Sequence, residues 1–169
     1  MDVFECIEKR RSVRRLVGTE IPMSDIEKIV DTGRRAPSGN NVQPREFIII
    51  TNPQTIAKLS MAQGFMRDAS AVIAIVADES VSRYWLEDVS ASTENMLLAA
   101  TALGYASCWV EGTLLRVENK AKEILGVPQN KRLIVALPLG RAAHEGSQAR
   151  KKPMNEIVHY EKYGQKQPG

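Results

Sequence analysis

The chain has 169 residues, 43% hydrophobic and 25% charged, with 23 Lys and Arg against 20 Asp and Glu, a net charge of +3. That length predicts a single domain over residues 1–169 with a core of its own, and the near balance of charge argues against a nucleic-acid surface, which needs a basic excess along a face. No run is long and apolar enough to cross a bilayer, and "MDVFECIEKR" lacks an apolar signal region, so a cytoplasmic protein is expected.

Phe4 and Ile7 place apolar contacts on a short first helix. The stretch "EKRRSVRRL", Glu8 to Leu16, then carries five cations in nine residues: Lys9, Arg10, Arg11, Arg14 and Arg15. Such a run ordinarily reads as a solvated helix face, and Glu5 and Glu8 dilute it. Ser12 and Val13 in its middle point elsewhere. Arg10, Ser12 and Arg14 alternate, so in an extended segment their side chains leave from one face. Two guanidinium forks and a hydroxyl on one side suit a phosphate, whose oxygens accept from each donor.

After Pro22, "MSDIEKIVDTG" is amphipathic, with Ile26, Ile29 and Val30 on one face, Ser24 or Asp25 as its cap and Gly33 near its end. "APSGNNVQP", Ala36 to Pro44, is a loop. "REFIIIT" is a strand, and Asn52 before Pro53 starts a helix, a capping residue followed by Pro in the first turn. "AVIAIVAD", Ala71 to Asp78, is a buried strand by its unbroken apolar run. The longest helix runs from about Trp85 to Leu103, and its second half has almost no polar side. A helix apolar all round is buried all round, which suggests either a partner subunit on one flank or burial within its own domain. Gly104 ends it.

"YASCWVEG" reads as a strand, "ENKAKEILG" as a helix and "RLIVALPLG" as a further strand. "RAAHEGSQARKKP" is a polar loop, and "MNEIVHYEKYG" is a last short amphipathic piece. Cys6 and Cys108 read as small core residues, with neither disulfide nor zinc spacing; no metal site is expected. His144 and His159 sit in no local signature that would make either a base for a catalytic cysteine. Helix and strand alternate loosely, which suggests a sheet with helices on both faces. No G-x-G-x-x-G follows a strand and no P-loop is present, so a Rossmann nucleotide site is excluded.

Four segments then add up: "RRSVR", "APSGNNVQP" before an apolar strand, the Ala-rich "ENMLLAATALGYASCWVEG" and the basic "ARKKPMNEIVHYEKYG". In this order and spacing, over nearly the whole chain, they resemble the FMN-dependent nitroreductase family in its short form. The resemblance implies an α+β fold, a mixed central β-sheet flanked by helices, in an intertwined homodimer with FMN at the subunit interface. It implies that Arg10, Arg11, Ser12 and Arg14 bind the FMN phosphate, ribityl chain and pyrimidine edge, and that Arg150 and Lys151 form a second clamp on the phosphate. Pro37, Ser38 and Asn41 would form the loop that a partner subunit lays against the flavin. Glu111 and Gly112 match the turn whose backbone N–H approaches flavin N5, and Gln63 lies in the segment that touches the pyrimidine.

The residue types agree with these roles. Planar two-point contact to a phosphate needs Arg, and a positive charge such as Arg14 stabilises an electron-rich reduced flavin. Gly112 lets backbone approach a flat ring where a side chain would collide. Ordinary readings stand beside these: turn chemistry for Ser38 and Asn41, a solvated strand end for Glu111 and a solvated loop for Arg150 and Lys151. Arg45 follows Pro44 where the family often has an aromatic residue. The path from the Ala71–Asp78 strand to the long helix is short where longer members of the family insert helices that roof the pocket, which suggests an open site, with Tyr84 and Trp85 as candidates for its edge.

The activity so implied is an oxidoreductase that takes electrons from NADH or NADPH and passes them, through flavin N5, to a small-molecule acceptor: a nitroaromatic, a quinone or another flavin. The cofactor carries the chemistry, so no side chain is assigned a catalytic part. Dehalogenation or dehydrogenation within the same family, a non-catalytic flavin or phosphate sensor, and nucleic-acid binding through Arg10 to Arg15 are the alternatives. Neither a membrane nor a nucleic-acid partner is expected.

Overall fold

The computed structural model describes residues 1–146 and 148–166. In chain order its elements are α1 (Val3–Lys9), β1 (Leu16–Val17), α2 (Met23–Arg34), β2 (Arg45–Ile50), α3 (Pro53–Leu59), β3 (Ala71–Ala77), α4 (Trp85–Ala102), β4 (Ala106–Ser107), α5 (Gly112–Leu115), α6 (Glu118–Leu125), β5 (Arg132–Ala142) and α7 (Met154–Ile157). Short 3-10 turns lie at Gly39–Asn41 and Gly64–Asp68.

The apolar run in β3 is unbroken because both faces of that strand are covered. Ala71, Ile73, Ile75 and Ala77 pack with Ile26 and Ile29 of α2 and Val89, Met96, Leu97 and Ala100 of α4. Val72, Ala74 and Val76 point the other way, against Ile56 and Leu59 of α3, Leu114 of α5 and Ala121 of α6. The two-residue period of a strand sorts one sequence between two cores, as a sheet with helices on both faces requires. The sheet order is β1-β5-β3-β2, with β4 also beside β5. The pairings between these strands are antiparallel, and the parallel component is an isolated bridge between Ser12 and Ser107. The fold is therefore α+β, with a central sheet flanked by helices.

"YASCWVEG" is not one strand. Only Ala106–Ser107 pairs continuously with β5, and Val110 touches it again at Ala136. The cause lies in β5. Ala136 and Gly140 face this edge, so Pro138 between them faces it too, and proline has no N–H to continue the ladder. The chain therefore lifts off at Cys108–Trp109, and this departure opens the site described below.

Local signals had mixed fates. Asn52 caps α3 through Oδ1, which accepts from Gln54 N at 2.9 Å and Thr55 N at 3.2 Å, with Pro53 in the first turn. Neither Ser24 nor Asp25 caps α2: Pro22 stands at its N-cap, and Asp25 Oδ2 instead accepts from the Tyr105 hydroxyl at 2.6 Å. On α1 only Cys6 is buried, while Phe4 (74% exposed), Val3 and Ile7 face outward, so this helix presents rather than buries its apolar side. On α4, Leu98, Ala99 and Leu103 are half-buried. No helix among the described residues is long and apolar enough to cross a membrane.

Candidate functional site

The basic run is extended, and β4 holds it so. Ser12 bridges Ser107, and Val13 N donates to Ser107 O at 2.9 Å. Half-buried Arg10 is turned toward α4, with Nε 3.2 Å from Glu94 Oε1. The loop after β5 folds back over the run: Gln148 Nε2 donates to Ile7 O at 2.6 Å and to Arg10 O at 2.8 Å. The result is a cavity of about 490 Å³ lined by Arg10, Arg11, Ser12, Arg14, Gln148, Ala149 and Lys151. Arg10, Ser12 and Arg14 thus line one cavity, but Arg11 lines it with them, so strict alternation does not sort the run. Arg15 is absent from this cavity and lines an adjoining recess with His144 and Glu145, which Arg11, Ser12 and Arg14 also reach.

Arg14 also reaches a second cavity, of about 300 Å³, whose other walls are Gln63, Phe65, Cys108, Trp109, Val110, Glu111, Gly112, Thr113 and Arg116. The break in β4 makes this space. Val110 is tied to Ala136 in both directions, at 3.0 and 2.9 Å, and the chain then turns at Glu111 (φ −133°, ψ −72°) into α5. Trp109 Nε1 donates to Glu111 Oε2 at 2.8 Å, so an indole already occupies that carboxylate. A Cβ on Gly112 would meet nothing within 4 Å beyond its chain neighbours and its own helix backbone. The chain leaves that space open and does not itself need the glycine there. Gln63 Nε2 donates to Thr113 Oγ1 at 3.1 Å, which leaves its amide oxygen as an acceptor.

The first cavity is a set of cationic and neutral donors, suited to a phosphate or other compact anion. The second is a slot with aromatic, thiol and backbone walls, and Arg14 stands at the junction. Buried Cys108 lies in its wall; burial pushes the thiol up, opposed by the nearby Arg14 charge and by Ser12, so the group is a neutral thiol and not a nucleophile.

Not every candidate gathers here. Arg150 is exposed and lines neither cavity, unlike its neighbour Lys151. Pro37, Ser38 and Asn41 line neither one. Their loop sits against the start of α4, where Gly39 N donates to Asp88 Oδ1 at 2.9 Å. Tyr84 packs against Gly39, and Trp85 lies beneath the Arg132 guanidinium, 5.6 Å from ring centroid to Cζ, so neither edges these cavities. Sequence reasoning passed over Gln148, Cys108, Trp109, Thr113 and Arg116. A glutamine in a polar loop carries no local signal, and the other four become neighbours only through the break in β4.

Comparison with known proteins places the chain among nitroreductases. A family model described as "Putative TM nitroreductase" matches residues 2–167. A protein of Archaeoglobus fulgidus named "Putative NADH dehydrogenase/NAD(P)H nitroreductase" is 39% identical over 148 residues, covering 82% of this chain and 84% of that protein. A crystal structure under the same name from Bacteroides thetaiotaomicron superposes with a TM-score of 0.88 at 25% identity, covering 95% of this chain and 98% of the other. An FMN-dependent nitroreductase of Clostridium difficile gives 0.86 at 24% identity, covering 95% and 99%.

Proposed function

The chain belongs to the nitroreductase family, and on that premise we propose that it is an FMN-dependent oxidoreductase carrying electrons from NADH or NADPH to a small-molecule acceptor in a ping-pong cycle. Nitroaromatics, quinones and other flavins are the acceptors it would take. The observation that carries this reading is the pair of cavities joined at Arg14, one built for an anion and the other a slot beside a residue with no side chain.

The residues present fit FMN. Arg10, Arg11, Ser12, Arg14 and Lys151 supply donors for the phosphate and ribityl chain, and the open space at Gly112 admits a flat ring against backbone. When bound, FMN supplies the two-electron transfer that no side chain here could perform. The protein's part is to bind, orient and polarise. Arg14 sets a positive charge where the two cavities meet. Glu111 and Gly112 line the slot, so their peptide N–H is the backbone donor this reading assigns to the flavin, while the Glu111 carboxylate is engaged by Trp109. Gln63, tied to Thr113 beside the same turn, offers an amide oxygen.

The functional unit is a homodimer in this reading. Val3, Phe4 and Ile7 expose an apolar helix face, and the loop of Pro37, Ser38 and Asn41 stands away from its own chain's cavities, positioned to serve another's. A cytoplasmic location, where both nicotinamide donors are available, goes with it. Steady-state oxidation of NADH and NADPH against a nitroaromatic and a quinone tests the proposal: parallel double-reciprocal lines are expected, and intersecting lines or no turnover by the FMN-loaded protein would overturn it.

A further inference from the structure

We infer that Arg45 and Asp88 form a positioning pair that fixes the 36–44 loop in the shape in which it meets a neighbouring subunit's cofactor slot. The inference rests on the dimeric flavoenzyme reading above. Arg45, the first residue of β2, is 7% exposed, and Asp88, in the first turn of α4, is 4% exposed. Each holds the loop by a single bond. Arg45 Nη2 donates to Ala36 O at the loop's start, and Asp88 Oδ1 accepts from Gly39 N in its middle. Arg45 Nε and Nη1 and Asp88 Oδ2 are buried without a hydrogen-bond partner. Burial pushes the guanidinium down from its ordinary value, and the Asp88 charge opposes that shift.

Arg45 and Asp88 do not touch each other, and two buried charges satisfied so sparsely are a poor source of stability; two apolar side chains of similar volume would serve the core as well or better. What the pair does supply is register. Just past the Gly39 anchor the loop turns sharply, with Asn40, Asn41 and Gln43 at φ 51°, 56° and 55°; asparagine enters this left-handed region readily, whereas for Gln43 it is uncommon. A third fastening comes from Gly39, whose backbone lies so close to Tyr84 that an added Cβ would fall 2.4 Å from the ring. Tyr84 is itself covered by the Arg83 guanidinium, 4.7 Å from the ring centroid. The start of α4 and the start of β2 therefore hold the loop from beneath, and Pro37 and Asn41 are left exposed on its outer side.

The test uses the FMN-loaded dimer and four variants. Arg45→Met should speed amide exchange at Gly39 and Gln43 and weaken FMN binding about tenfold, with kcat per bound flavin little changed. Asp88→Asn retains an acceptor for Gly39 and should do less. In the double variant the buried charges are gone, so thermal stability should recover while FMN affinity stays low. Gly39→Ala, which touches no charge, should weaken FMN by displacing the loop from Tyr84. FMN affinity that is unchanged in Arg45→Met, or that returns with stability in the double variant, overturns the positioning role. Should the wild-type protein bind no FMN, the functional reading fails instead, and amide exchange still decides whether the pair holds the loop.

Discussion

Replacing Gly112 by alanine separates what the chain needs from what the cofactor needs. The glycine begins α5, and beyond its chain neighbours and own helix backbone nothing lies within 4 Å of the Cβ it lacks. Alanine there relieves the unfolded chain of conformational freedom at no steric cost, worth about 0.4–1 kcal/mol. For a chain of this size that raises the melting temperature of the flavin-free protein by about 1–4 °C. A ring seated against the backbone meets the same methyl as an overpacked contact, costing about 1–3 kcal/mol. FMN should then bind about 5- to 150-fold more weakly. The two effects have opposite signs, so a general loss of structure cannot mimic them. Thermal scans of the stripped protein and a flavin-fluorescence titration measure both, and Gly112→Val should abolish binding. If the alanine variant binds FMN like the wild type, Gly112 merely starts a helix and the slot is not the flavin site.

Arg10→Ala and Arg14→Ala should each weaken FMN binding by about ten- to a hundredfold, the loss of a charge-assisted hydrogen bond, whereas Arg15→Ala should change it little. Equal losses at all three, in the same titration, would mean that the run acts as diffuse charge. Sedimentation should find a dimer with two flavins, and Phe4→Asp should shift it toward monomer with loss of flavin; a wild-type monomer carrying full FMN would remove the basis for a shared site. Burial alone would raise the Glu118 carboxyl, but hydrogen bonds from Arg132 at 2.9 and 3.0 Å and from Leu133 N outweigh it and hold the group below its ordinary 4.5. Its stabilisation is therefore present above pH 4.5 and lost as pH falls through the lowered folded value. Glu118→Gln should flatten the acid limb of a melting-temperature series run from neutral pH to about pH 3; an unchanged slope would contradict the assignment.

Some of this was legible in the sequence because the causes are local. The apolar run of β3 announces a strand buried on both faces, and Asn52–Pro53 carries its own cap. The extended course that β4 imposes brings Arg10, Ser12 and Arg14 to one cavity as their alternation suggests, although Arg11 reaches it too. Features set by distant partners were not legible. Pro138 shortens β4 from across the sheet, and Tyr105, 80 residues away, takes Asp25 from its capping duty. Gln148 enters the site by folding back onto Ile7 and Arg10 from the far end of the chain. At Glu111–Gly112 the residues alone suggest a strand end. Only the family resemblance pointed to a cofactor turn, and the open space at Gly112 is the structural feature that agrees with it.

The central claim is that a flavin bound between the Arg10–Arg14 run and the Glu111–Gly112 turn accepts electrons from a nicotinamide donor. Its most direct test is the visible spectrum of the FMN-loaded protein under argon, before and after one equivalent of NADH or NADPH. The account predicts a yellow protein whose oxidised-flavin absorbance bleaches with either donor and returns when a quinone is added. A folded protein that stays colourless in excess FMN, or holds FMN that neither donor bleaches, would contradict it.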